Sequence, residues 1–143
     1  MPANELVGTW ALVATEWRRA DGRHANPFGP GAVGVLMYDA AGNMSAQVMR
    51  ADRTGTPAGD PAGIDTAMTS AFVGYIAYFG TYEIDAAPSI VTHAVIGSAF
   101  PAWVGSTPNR RFAIDGDRLT LSDSLRTADG VAVEASTIWE RIA

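Results

Sequence analysis

The sequence has no cysteine among its 143 residues, which excludes disulfides, thiolate nucleophiles, iron-sulfur clusters and cysteine-ligated zinc. All ten basic residues are arginine. Without lysine there is no Schiff-base chemistry and no lysine-type phosphate loop. With two histidines, His24 and His93, a three-histidine metal site is impossible, and no carboxylate pairing in sequence suggests a mixed one, so no metal is expected. Basic runs stop at Arg18-Arg19 and Arg110-Arg111 and the net charge is -5, which argues against nucleic acid as a partner. "GPGAVG", from Gly29 to Gly34, lacks the strand, glycine loop and helix that a dinucleotide site needs, and G-x-S-x-G is missing. No nucleotide, flavin or other cofactor is expected. The most apolar window, "AFVGYIAYFG", is about half of the roughly 20 residues that cross a bilayer, so no membrane association is predicted. "MPANE" at the start has neither the basic nor the apolar part of a secretion signal. The expected location is the cytoplasm.

What is present is 48% hydrophobic residues over a length that suits one core, and residues 1–143 are read as a single domain. β-Branched and aromatic runs bounded by Gly, Pro, Asp and Asn predict eight strands: Leu6 to Arg18, Ala32 to Tyr38, Asn43 to Arg50, Tyr78 to Ile84, Ser89 to Gly97, Asn109 to Ile114, Arg118 to Leu125 and Val131 to Arg141. One stretch, "GIDTAMTSAFVGYIAY", places Ile64, Met68, Phe72, Tyr75 and Ile76 at helical spacing. It predicts a helix between the third and fourth strands.

The connections alternate between tight turns ("DAAG", "DAAPS", "DGD") and longer loops. In an antiparallel meander this puts the tight turns at a closed end and the long loops, with the helix as a lid, at an open one. The expected fold is therefore mainly β, an eight-stranded up-and-down barrel, and such a barrel can enclose one small ligand. The first strand begins and the last finishes at the closed end, which brings Trp10 close to Arg141. Gly8 would let the chain enter the floor, and the Arg141 guanidinium could stack on the Trp10 indole. The alternative is that Trp10 is simply a large core residue.

Gly8-Thr9-Trp10, an arginine in the last strand and eight meandering strands resemble the lipocalin and calycin group. "LVGTWAL", "NPFGPGAVGVLMYDAAGNMSAQVMR", "AYFGTYEID", "VTHAVIGSAFPAWVG" and "RRFAIDGDRLTLS" resemble, more narrowly, the bacterial and fungal lipocalin-like domain family. The resemblance implies the barrel fold but no single activity. The chain differs from secreted lipocalins in having no signal peptide, no disulfide and a helix predicted inside the strand order. Barrels of similar outline include cyclases and isomerases of natural-product pathways.

Strand parity sorts the candidate residues. Counting inward from Trp10 puts Leu12, Ala14 and Glu16 in the lumen, with Glu16 near the mouth. Tyr78, Gly80 and Tyr82 form the better interior face of their strand, and Arg110 shares a face with Phe112 and Ile114. Parity leaves the strand of His93 open, Val91, His93 and Val95 being one plausible lumen set. An inward His93 could move a proton near neutral pH, or serve as a hydrogen-bonded structural group. Arg110 could receive an acidic or carbonyl oxygen, or form a salt bridge with Glu16 or another acidic rim residue. Tyr38, Tyr78 and Tyr82 are either donors into the lumen or packing groups, and Phe100 and Trp103 either gate the mouth or pack beside it. Two readings result: a barrel binding a small, largely apolar molecule through Tyr38, Tyr78, Tyr82, His93, Phe100, Trp103 and Arg110, or a cofactor-free cyclase, isomerase or hydratase in which His93, Arg110 and Glu16 are catalytic. An interaction module docking a protein through its aromatic loops is a third. The oligomeric state is left open, a homodimer included.

Overall fold

Alternating apolar and polar residues on short β-branched runs give strands that can bury one face and wet the other. In the computed structural model, which describes residues 4–22, 24–25, 28–52, 74–85, 89–126 and 129–143, these runs form β1 (Gly8–Arg19), β2 (His24–Ala25), β3 (Val33–Tyr38), β4 (Asn43–Met49), β5 (Tyr75–Asp85), β6 (Ile90–Ser98), β7 (Asn109–Asp115), β8 (Arg118–Arg126) and β9 (Ala132–Arg141). β1 and β3 to β9 pair in chain order, all antiparallel, and β9 returns to β1. Eight strands thus close an up-and-down barrel, and the two-residue β2 lies against the far end of β1.

Among the described residues there is one 3-10 turn, Pro101–Trp103, and no α-helix, so none is long and apolar enough to cross a membrane. The helical reading of the stretch from Gly63 needs correction at its end: Tyr75 to Ala77 belong to β5, three residues ahead of the predicted strand start at Tyr78, and pair with Met49 to Gln47 of β4. A short run of aromatic and aliphatic residues fits either period, and the open edge of β4 decides for the strand. The remainder of that stretch, 63–73, lies outside the described residues.

The strands' inner faces form one core that includes Leu36, Met44, Val48, Val91, Leu119, Leu121 and Trp139. Parity in β1 breaks once. Its register with β9 passes from Leu12↔Trp139 to Ala14↔Ile138, a bulge that spends Val13 without a partner and turns that side chain outward. Beyond the bulge Thr15 is buried, and Glu16 sits on the outer face in an exposed ion pair with Arg18 at 2.9 Å. The expectation that Glu16 points into the lumen is therefore corrected.

At the closed end, Trp10 is fully buried and its Nε1 donates to the Leu6 carbonyl at 2.9 Å. The Arg141 guanidinium carbon lies 4.2 Å from the indole centroid, and its Nη1 and Nη2 donate to the carbonyls of Val7 (2.6 Å) and Glu5 (2.7 Å) respectively. Gly8, at φ +144°, runs so close beneath this arginine that a Cβ would stand 2.6 Å from Arg141 Nη1. The floor is a stacked cation bridging the chain's entry into the barrel.

Candidate functional site

The wall is unevenly zipped. β6 and β7 share three pairs, Ile90↔Arg111, Val91↔Arg110 and Thr92↔Asn109. Past them the strands separate, and the connecting loop takes over the backbone of β6: the amides of His93 and Val95 donate to the carbonyls of Pro108 and Ser106, both at 3.0 Å. The separation leaves a cavity of about 380 Å³ lined by Tyr78, Val95, Trp103, Ser106, Thr107, Pro108 and Arg110. That volume is in the range of small-molecule sites.

Behind Tyr78 lies a buried polar chain. Val91, His93 and Val95 face inward, and His93 is only 1% exposed. Its Nδ1 is 2.7 Å from the Tyr78 hydroxyl and its Nε2 is 2.6 Å from the Tyr38 hydroxyl. Burial, with a contribution from the charge of Arg110, pushes the His93 pKa down to about 3. Burial likewise raises Tyr38 well above the usual phenol value and raises Tyr78, where Arg110 offsets part of the effect by its charge and by a side-chain hydrogen bond. All three groups are neutral at physiological pH. A neutral imidazole offers one N–H and one lone pair, so the trio holds three mobile protons for two internal hydrogen bonds. Whichever tyrosine accepts from His93 keeps its own proton for another acceptor. Of the two tyrosines, Tyr78 lines the cavity.

Arg110 closes the outer side of this arrangement. It shares the inward face of β7 with Phe112 and Ile114, and its Nη1 meets Asp123 Oδ2 at 2.5 Å across the β7–β8 pair. Trp103 stands edge-on to Tyr78, ring centroids 6.2 Å apart, and packs on Phe100 at 5.0 Å. The site is an apolar recess with a few convergent donors at its inner wall and a paired cation at its lip. Among the described residues, no group of three or more metal-ligating side chains occurs.

A family model described as a lipocalin-like domain matches residues 7–142. The chain belongs to that family. It is also similar to a curated protein of Aspergillus oryzae, a 4'-hydroxy-3'-methoxypropiophenone carrier protein, with 37% identity over 89 residues that cover 55% of this chain and 78% of that protein.

Within this lipocalin-like barrel, His93, Tyr38, Tyr78 and Arg110 come together around one side of the interior, and Trp103 and Phe100 stand beside them. Tyr82 faces inward but is used at the floor: its hydroxyl donates to the Asp39 carbonyl at 2.6 Å and accepts from Asn4 Nδ2 at 2.8 Å, while its ring packs edge-on against Tyr38. Glu16, on the outer face, stands apart from the group. Sequence reasoning did not single out Asp123 as the partner of Arg110. The signal was present, since counting back from the tight turn at Gly116 pairs Ile114 with Leu119 and carries the register to Arg110 opposite Asp123.

Proposed function

We propose that this lipocalin-like protein binds a small, largely apolar molecule in its barrel, holding it through one hydrogen-bond acceptor, and that it does so as a carrier. The observation behind this reading is the buried Tyr38–His93–Tyr78 chain, with a phenolic proton to spare, behind a cavity of about 380 Å³. A donor set inside apolar walls suits a ligand whose surface is hydrophobic except at a carbonyl or similar oxygen. The carrier activity named for the Aspergillus oryzae relative concerns an aryl ketone, which shares the apolar ring and carbonyl and adds a hydroxyl and a methoxy group. His93 supports binding over turnover: an imidazole titrating at about 3 is a weak proton acceptor at neutral pH. The same reading takes residues 1–143 as one domain working in the cytoplasm.

The test is to titrate the protein with propiophenone and with the uncharged dye Nile red, and to follow the ketone by chromatography afterwards. Saturable binding of about one dye molecule per chain, displaced by the ketone and with the ketone recovered unchanged, is the expected result. Absence of binding by either compound rejects the reading. Conversion of the ketone would move the assignment to the cofactor-free cyclase, isomerase or hydratase alternative.

A further inference from the structure

We propose that the barrel discriminates against anionic ligands, and that Asp123 is the residue that sets this preference by holding Arg110. The inference rests on the binding reading above and narrows its ligand class to neutral molecules.

Arg110 is the cation that lines the cavity. Left alone beside an apolar recess, a guanidinium would take a carboxylate through two parallel hydrogen bonds and would favour acidic ligands. It is not left alone. Asp123 shares the strand parity of Leu119 and Leu121 on β8, stands one residue beyond the last β7–β8 pair, Arg111↔Ser122, and approaches Arg110 Nη1 to 2.5 Å. Both side chains are about two-thirds covered, at 29% and 37% exposure, so the pair is less screened than one on the open surface. The other polar side chains that line the recess, Tyr78, Ser106 and Thr107, are neutral. A carboxylate reaching for Arg110 from the cavity would have to displace Asp123 or share the guanidinium with it. A ketone needs only a donor, which Arg110 supplies from its remaining N–H groups, and Tyr78 from its hydroxyl in the tautomer where His93 Nδ1 donates to it.

Charge pairing thus converts a potential anion site into one that polarises a neutral oxygen. Asp123 acts through Arg110 and is a positioning residue for ligand choice. A structural role alone would lower affinity for every ligand together, whereas the proposed role changes their ratio.

The experiment compares propiophenone with phenylacetate, one neutral and one anionic, by isothermal titration at pH 7 against the natural protein, Asp123→Asn and Asp123→Ser. The natural protein is expected to favour the ketone by about ten-fold or more, and either variant to tighten phenylacetate by about ten-fold through the released guanidinium while changing the ketone little. Because each ratio is measured within one variant, a loosened fold cancels. Equal or tighter binding of phenylacetate to the natural protein overturns the inference, as does an unchanged ratio in a variant that still binds the ketone. If neither the ketone nor Nile red binds the natural protein, the binding reading itself has failed and the inference falls with it.

Discussion

His93 carries a cost that pH exposes. In the unfolded chain it titrates near the ordinary value of 6.5, and in the barrel at about 3. Between those values the unfolded state binds the additional proton, so its contribution to stability is complete above pH 6.5 and is lost as pH falls, by up to about 1.4 kcal/mol per pH unit. Denaturant midpoints measured from pH 7 down to pH 4 should decline with that slope, and His93→Gln should flatten the decline; identical slopes would show that the histidine is not sealed. Tyr78→Phe removes the hydroxyl of the tyrosine that lines the cavity and is expected to weaken a ketone ligand by about 0.5–1.5 kcal/mol, which titration of the folded variant reads directly. How far these roles were legible differs from residue to residue. His93 and Arg110 stood out because proton carriers and cations are conspicuous in an apolar strand, and the inward parity of Tyr78 followed from alternation. The meeting of His93 with both Tyr38 and Tyr78 joins β3, β5 and β6, a distance no single strand's pattern encodes. Asp123 was hidden for a smaller reason: its meaning appears only once the β7–β8 register is counted.

Individual strands were the most readable level, because β-branched runs between turn residues leave few alternatives. Tyr75 to Ala77 were misread since such a short apolar run satisfies a helix stripe as well as a strand. The bulge in β1 was invisible: "LVAT" contains no glycine or proline to mark the extra residue, and one slip carried Glu16 to the wrong face. Two variants probe elements directly. At Gly80, opposite the point where β6 bulges at Ile96, a Cβ would stand 1.8 Å from the Ala94 carbonyl oxygen, an overlap with backbone that no rotamer relieves. Gly80→Ala should therefore cost about 3 kcal/mol or more, seen as a large drop in denaturation midpoint. Arg141→Ala removes the stacking on Trp10 and two hydrogen bonds to the entering chain, and a loss of about 1–3 kcal/mol in stability with ligand affinity unchanged is expected. An unaltered midpoint would mean that the floor holds without its cation.

At the level of the whole molecule, an interior that accepts a ligand only when folded ties stability to occupancy. A ligand at one hundred times its dissociation constant should raise the unfolding free energy by about 2.7 kcal/mol, so a thermal-shift series with propiophenone gives an affinity independent of titration. The seam between β1 and β9 has another consequence. Every other barrel pairing joins neighbours in the chain, but this one joins its first and last strands. During synthesis β1 emerges early and cannot meet β9 until nearly all of the chain has been made. For that interval the growing polypeptide is a curved ribbon with bare hydrogen-bonding groups along its edge, the condition under which sheets recruit one another. The hazard of this barrel therefore lies in the waiting time before closure. A ribosome stalled before Ala132 would present that ribbon indefinitely, and such nascent chains should depend on a holding chaperone to stay dispersed where full-length chains released from the ribosome do not.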